Sequence, residues 1–206
     1  MSTLPKSLAP EIARRIIRIQ ALTLIWMTVE AAVSLGTAWM AHSPALLGFG
    51  GDSAVELLSA AVVLRRFYST SQKAHAEVRA AKVAGALLFV LAAFVVLASA
   101  LSLLGHIEPQ PSAVGIAVLI VAAVAMPWLA RQKRRHSAAS GSPALRADAT
   151  ESAVCGYLAL ITLVGLVVNG IWHVRWADPV AALALLPLIV REGREAMRGK
   201  PCCDME

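Results

Sequence analysis

Residues 176–190 read WADPVAALALLPLIV, and whether this segment crosses a bilayer decides the architecture of the whole chain. It is apolar but short, with Asp178 near its start and Pro187 inside, so hydropathy alone is equally compatible with an interfacial helix. Five other stretches, 19–41, 45–64, 83–104, 114–130 and 147–172, are long and apolar enough to cross about 30 Å of hydrocarbon. Charge decides the sixth. If 176–190 spans, then Lys6, Arg14, Arg15 and Arg18 share one side with Arg65, Arg66, Lys73, Arg79 and Lys82. The same side holds Arg131, Lys133, Arg134, Arg135 and Arg146, and also Arg191, Arg194, Arg198 and Lys200. Of the 19 Lys and Arg, only Arg175 then lies opposite. The positive-inside rule makes the populated side cytoplasmic, with both termini there. The expected fold is an all-α membrane protein of six transmembrane helices: a cytoplasmic segment 1–18, a membrane domain 19–190 and a short cytoplasmic tail 191–206.

Composition agrees. The 206 residues are 58% hydrophobic and only 16% charged, too few polar groups to clothe a soluble domain, so the solvent is lipid. The net charge of +6 sits in short clusters between apolar runs, a topology signal and not a nucleic-acid surface. Three cysteines, Cys155 in an apolar stretch and the adjacent pair Cys202 and Cys203, make no disulfide framework. The first apolar run is too long for a signal-peptide core and is expected to remain as an uncleaved span.

An internal repeat locates the chemistry. Residues 43–56, SPALLGFGGDSAVE, align without gaps on residues 142–155, SPALRADATESAVC, with seven of fourteen positions identical. In the six-span topology the first copy starts outside and the second inside, so the three-helix halves are inverted, a recurring plan for secondary transporters with a midplane site. The competing explanation is coincidence among common Ala, Leu, Ser and Val. Asp52 aligns with Glu151 and Glu56 with Cys155, giving each copy two potential ligands four residues apart on one helix face. Two such helices face to face would gather four groups around one point, the number zinc prefers. A carboxylate at membrane depth costs at least about 2.5 kcal/mol and seldom persists without a partner or a task. Pairing with basic residues near the helix ends is the structural alternative.

Three stretches together resemble the cation diffusion facilitator family: GFGGDSAVELLSAAVVLRRF at 48–67, ALRADATESAVCGYLAL at 144–160 and WADPVAALALL at 176–186. The resemblance covers nearly all six spans and is most specific at the second and fifth. It implies a six-helix bundle with cytoplasmic termini that exports zinc or a similar divalent cation in exchange for protons, often as a homodimer. Carried over by motif, Asp52, Glu56, Glu151 and Cys155 take the metal-ligand positions, although the family usually has His and Asp in the fifth span. Losing imidazole removes the group that titrates near neutrality, so coupling falls to carboxylates and the thiol. The chain also resembles a compact form lacking the family's C-terminal cytoplasmic domain, which leaves the oligomeric state open. No resident cofactor is implied. The cation is cargo, and three carboxylates with a thiolate suit zinc, cadmium, cobalt, iron or manganese.

Other residues have candidate roles. Glu30, mid-span, is a proton carrier or path residue, or else a neutral group bonded to a neighbouring helix. Asp148 lines the cytoplasmic mouth or interacts with its helix N-terminus. Gly48, Gly50 and Gly51 serve close helix packing or a local opening, with packing favoured. Cys202 and Cys203 capture a soft cation or are idle thiols of a tail. His136 reads as solvated loop, and His173 with Trp172 and Trp176 as an interfacial anchor. The chain has no H-E-x-x-H, G-x-S-x-G or phosphate-binding loop, so no enzymatic reading arises. The leading reading is export of a divalent transition-metal cation across the cell inner membrane. Its rival is a non-transporting membrane protein whose acidic cluster holds a structural metal or a partner helix.

Overall fold

A computed structural model of the chain describes residues 10–67, 74–140 and 143–198. Those residues form six α-helices: α1 (Pro10–Ala41), α2 (Pro44–Phe67), α3 (Ala74–Leu103), α4 (Ala113–Ser140), α5 (Pro143–Trp172) and α6 (Ala177–Met197). The start of α2 shows how the repeated Ser-Pro pair works. Pro44 takes the first helical position, where its missing N–H costs nothing, and the Ser43 hydroxyl accepts a hydrogen bond from Leu46 N at 3.1 Å. Just before it, His42 turns the chain with φ 51°, and His173 does the same after α5 with φ 54°.

The loops show how the helices run. The Ala41 carbonyl at the end of α1 accepts from Gln110 N, and Asn169 near the end of α5 donates to the Pro109 carbonyl at 3.0 Å. Arg175 pairs with Glu108, and Ser43 donates to Asp178 at 2.5 Å. The connections α1–α2, α3–α4 and α5–α6 therefore meet at one end of the bundle, where α2 begins and α5 finishes. The two copies of the repeat run in opposite directions. The principal helix pairings follow the same exchange of halves, α1 with α2 matching α4 with α5, and α2 with α3 matching α5 with α6. The pairing of α2 with α6 is the exception.

Outside and inside have traded places relative to a water-soluble bundle. Large apolar side chains such as Ile25, Phe94, Val124 and Val164 point outward, while Glu30, Asp52, Ser53, Thr162 and Asp178 are buried. Among the described residues four segments are long and apolar enough to cross a membrane: Ile17–Ala41, Lys82–Leu103, Ala113–His136 and Ala149–Trp172. The α2 and α6 helices are not among them. Asp52 and Glu56 interrupt the apolar run of α2, and Asp178, Pro187 and the charged last turns interrupt that of α6. Both can carry such groups because they are the bundle's inner helices: α2 packs against α1, α3, α5 and α6. The chain is a multi-pass membrane protein.

Candidate functional site

The α2 helix is brought unusually close to its neighbours by glycine. A Cβ on Gly50 would lie 2.8 Å from the Ser34 Cβ of α1, and one on Gly51 would lie 2.4 Å from the Leu91 side chain of α3. The close-packing role of this glycine run is thus observed. Immediately after it comes Asp52, which has no exposed surface. Glu56 follows one turn on, as the spacing requires.

The third acidic side chain at this point comes from α6. One oxygen each of Asp52, Glu56 and Glu192 lie within 4.8 Å of one another. Both Asp52 carboxylate oxygens and Oε1 of Glu56 are buried and receive no hydrogen bond from an N–H or hydroxyl among the described residues; Asp52 has only the Glu192 carboxyl within hydrogen-bonding reach. Like charges at this spacing repel by about 3–4 kcal/mol per pair at an effective dielectric of 20, so three ionised groups call for a cation or for protons. Glu192 falls in the segment expected to be tail, but α6 continues through Pro187 to Met197 and carries it into the bundle. A sequence signal for it existed. Ala182, Leu185 and Ile189 are fully buried, and the next residue on that face at helical spacing is Glu192.

Glu30 sits in different company. It has no exposed surface, and its carboxylate accepts from three helices: from Trp26 Nε1 at 2.6 Å, from Ser53 Oγ at 2.8 Å and from Cys155 Sγ at 3.3 Å. Cys155 is fully buried, with Ser53 Oγ at 4.0 Å as its other polar neighbour. Its thiol is engaged with Glu30 and does not belong to the carboxylate triad. Glu151 is exposed on α5. Beside it the fully buried Lys133 donates to Ser152 Oγ at 2.9 Å. The four ligand positions expected from the repeat are therefore split between two groupings and a surface position. The side chain of Asp148, and Cys202 and Cys203 entirely, lie outside the described residues.

Residues 21–198 match the family described as the cation efflux transmembrane domain. The chain belongs to this family. The match begins about a third of the way along α1 and runs past the end of α6, so it includes Glu30, Asp52, Glu56, Glu151, Cys155 and Glu192 alike. Membership makes this cation efflux protein a metal cation transporter by kind, and the family is one of transporters and not of enzymes. No curated protein shows significant similarity to the chain.

Proposed function

We propose that this cation efflux protein exports a divalent transition-metal cation of the zinc class from the cytoplasm, across the cell inner membrane, in exchange for protons. All six helices span, with both termini inside. Asp52 and Glu56 hold the cation, and Glu151 at the surface of α5 lies on its approach. The observation that carries this reading is on α2, where both oxygens of the buried Asp52 and Oε1 of the half-buried Glu56 meet no N–H or hydroxyl donor among the described residues, and only the Glu192 carboxyl lies within hydrogen-bonding reach of Asp52. A carboxylate in the bundle interior that served only the fold would be satisfied, as Glu30 and Asp178 are. The clustering of basic residues at one end of the helices, with Arg175 at the other, supports the orientation. Exchange for protons follows from the ligand chemistry, because a carboxylate must be deprotonated to bind a metal and takes its proton back on release.

The test is cation flux in proteoliposomes with an imposed pH gradient, comparing the unmodified chain with Asp52→Asn. Flux driven by the gradient and lost in the variant is the expected result. Correctly inserted protein that carries none of zinc, cadmium, cobalt, manganese or ferrous iron would instead leave a membrane protein with a structural metal.

A further inference from the structure

We propose that Glu192 is the third ligand of the cation site and that Cys155 is held out of it, so that the site is an all-oxygen set suited to a hard divalent cation of the manganese type. This rests on the transport reading above, adds to it a ligand and an exclusion, and replaces the zinc class of cargo given there by a harder cation.

The geometry supplies the ligand. One oxygen each of Asp52, Glu56 and Glu192 converge within 4.8 Å, and Asp52, with no exposed surface, brings to that point a carboxylate that no N–H or hydroxyl donor satisfies among the described residues. The approach of α6 is built from both ends. At the loop end, Asp178 accepts from Ser43 Oγ at 2.5 Å and from Ala45 N at 3.1 Å, which locks the starts of α2 and α6 side by side. From there Glu56 is about 18 Å along α2, counted from Pro44, and Glu192 about 21 Å along α6, counted from Asp178, so the two reach the same depth. At that depth Gly193 lies against Gly85 of α3, where a Cβ on Gly85 would come 2.8 Å from the Gly193 carbonyl oxygen. A side chain on Gly85 would push α6 away, whereas a Cβ on Gly193 would meet α3 at ordinary van der Waals distance, 3.4 Å. The α2–α6 pairing is also the one that departs from the exchange of halves, and the residue of α3 at the repeat offset from Glu192 is Ala93. A site read from the repeat alone cannot contain it.

The exclusion is as well defined. The Cys155 thiol donates to Glu30 Oε1, which also receives Ser53, so the sulfur belongs to a grouping whose polar atoms are already satisfied. Soft cations such as cadmium gain their advantage from thiolate sulfur, whereas carboxylates completed by water suit manganese and its like.

The experiment uses the full chain in detergent with Cys202→Ser and Cys203→Ser, so that Cys155 is the only thiol. Manganese affinity is measured by titration for this background and for Glu192→Gln and Glu192→Asp. Losing a mere hydrogen-bond partner of a metal ligand costs about 10–100-fold, so losing the ligand itself in Glu192→Gln should cost at least about a hundredfold, with partial rescue by Glu192→Asp. Cadmium added to the same background should give no ultraviolet thiolate-to-cadmium band. Unchanged manganese affinity in Glu192→Gln, or a strong cadmium–thiolate band that Cys155→Ser removes, overturns the proposal. The band reads the exclusion even if the Glu192 variants fail to fold. Binding without flux would sink the transport reading and leave this site standing, and flux indifferent to Glu192 would do the reverse.

Discussion

Buried carboxylates in this bundle receive two opposite treatments. Asp178 accepts two hydrogen bonds at the loop end of α2, and Glu30 accepts three from α1, α2 and α5. Asp52, one residue from Ser53, accepts none from an N–H or hydroxyl among the described residues and has only another acid, Glu192, within hydrogen-bonding reach, and Oε1 of Glu56 likewise meets no donor. Burial is the same for Glu30 and Asp52, both without exposed surface, so burial does not distinguish them. What does is the supply of donors. The fold surrounds one acid with an indole, a hydroxyl and a thiol and packs the other against glycines and further acids. An unsatisfied buried acid costs stability, and its persistence is explained if a cation supplies the missing partner.

The sharpest way to break this contrast is Asp52→Asn. The amide keeps the volume but removes a charge and a ligand, so cation binding and flux should fall at least about a hundredfold. The metal-free protein, relieved of repulsion within the triad, should unfold at the same temperature or higher. A variant that loses both binding and metal-free stability would put Asp52 with Glu30 as a structural acid. In the unmodified chain, manganese affinity should weaken steadily as pH falls, because protons compete for the same oxygens.

Glu30→Ala should behave in the opposite manner. It strands the Trp26, Ser53 and Cys155 donors and leaves a void among three helices, which at about 1–3 kcal/mol per unsatisfied group predicts a loss of about 3 kcal/mol or more in denaturant unfolding. The Cys155 thiol should become reactive toward a maleimide in the tail-cysteine-free background. Glu30→Gln keeps one oxygen for Ser53 and Cys155 and sets an amide against the Trp26 N–H, so its loss should be smaller. If Glu30→Ala instead abolished flux with no loss of stability, the proton-carrying role would be the better account of it.

How much of this was open to a sequence reader can be traced through the same residues. Asp52 and Glu56 were legible because both lie on one helix at a spacing that fixes their shared face. The six helices were legible from apolar length and the distribution of charge, and the family from the motifs of α2, α5 and α6. The partner of each site residue was not. Periodicity says that Cys155 and Glu56 each face inward, but it does not say that Glu30 of α1 rises to meet the thiol while α6 delivers an acid to the α2 pair. Glu192 was hidden by its neighbours: Arg191, Arg194 and Glu195 read as solvated tail, yet α6 continues among them to Met197, with Gly193 lying against α3. The repeat misdirects here, since at its offset Glu30 meets Leu129 and Glu192 meets Ala93.

Asp178 tests the satisfied side of the comparison more gently. Asp178→Ala removes the acceptor for Ser43 and Ala45, and the loss of a capping interaction predicts about 1–2 kcal/mol. Cation affinity should survive within about tenfold, because the Gly85–Gly193 contact still seats α6 beside the triad and a tenfold change is only about 1.4 kcal/mol. A hundredfold loss would mean that the far end of α6, and not its contact with α3, sets the position of Glu192.

The smallest effect belongs to an acid that meets a full charge in the open. Glu108 pairs with Arg175 across two loops, yet both side chains are largely exposed, at 51% and 72%. An exposed ion pair gains little attraction and pays the entropy of ordering two long side chains, so Glu108→Gln should change unfolding stability by less than about 1 kcal/mol, and less again at high salt. Flux and cation affinity should not change, since Glu56 lies about 18 Å along α2 and Glu192 about 21 Å along α6 from the loop end where the pair sits. The pair therefore serves as the internal control for the rest: here a formal salt bridge, fully partnered, contributes almost nothing, whereas Asp52, which no N–H or hydroxyl donor satisfies among the described residues, should decide whether the protein binds its cargo at all. A Glu108→Gln variant that lost flux would show that the loop end takes part in the transport cycle and would break the division of labour between the two ends of the bundle.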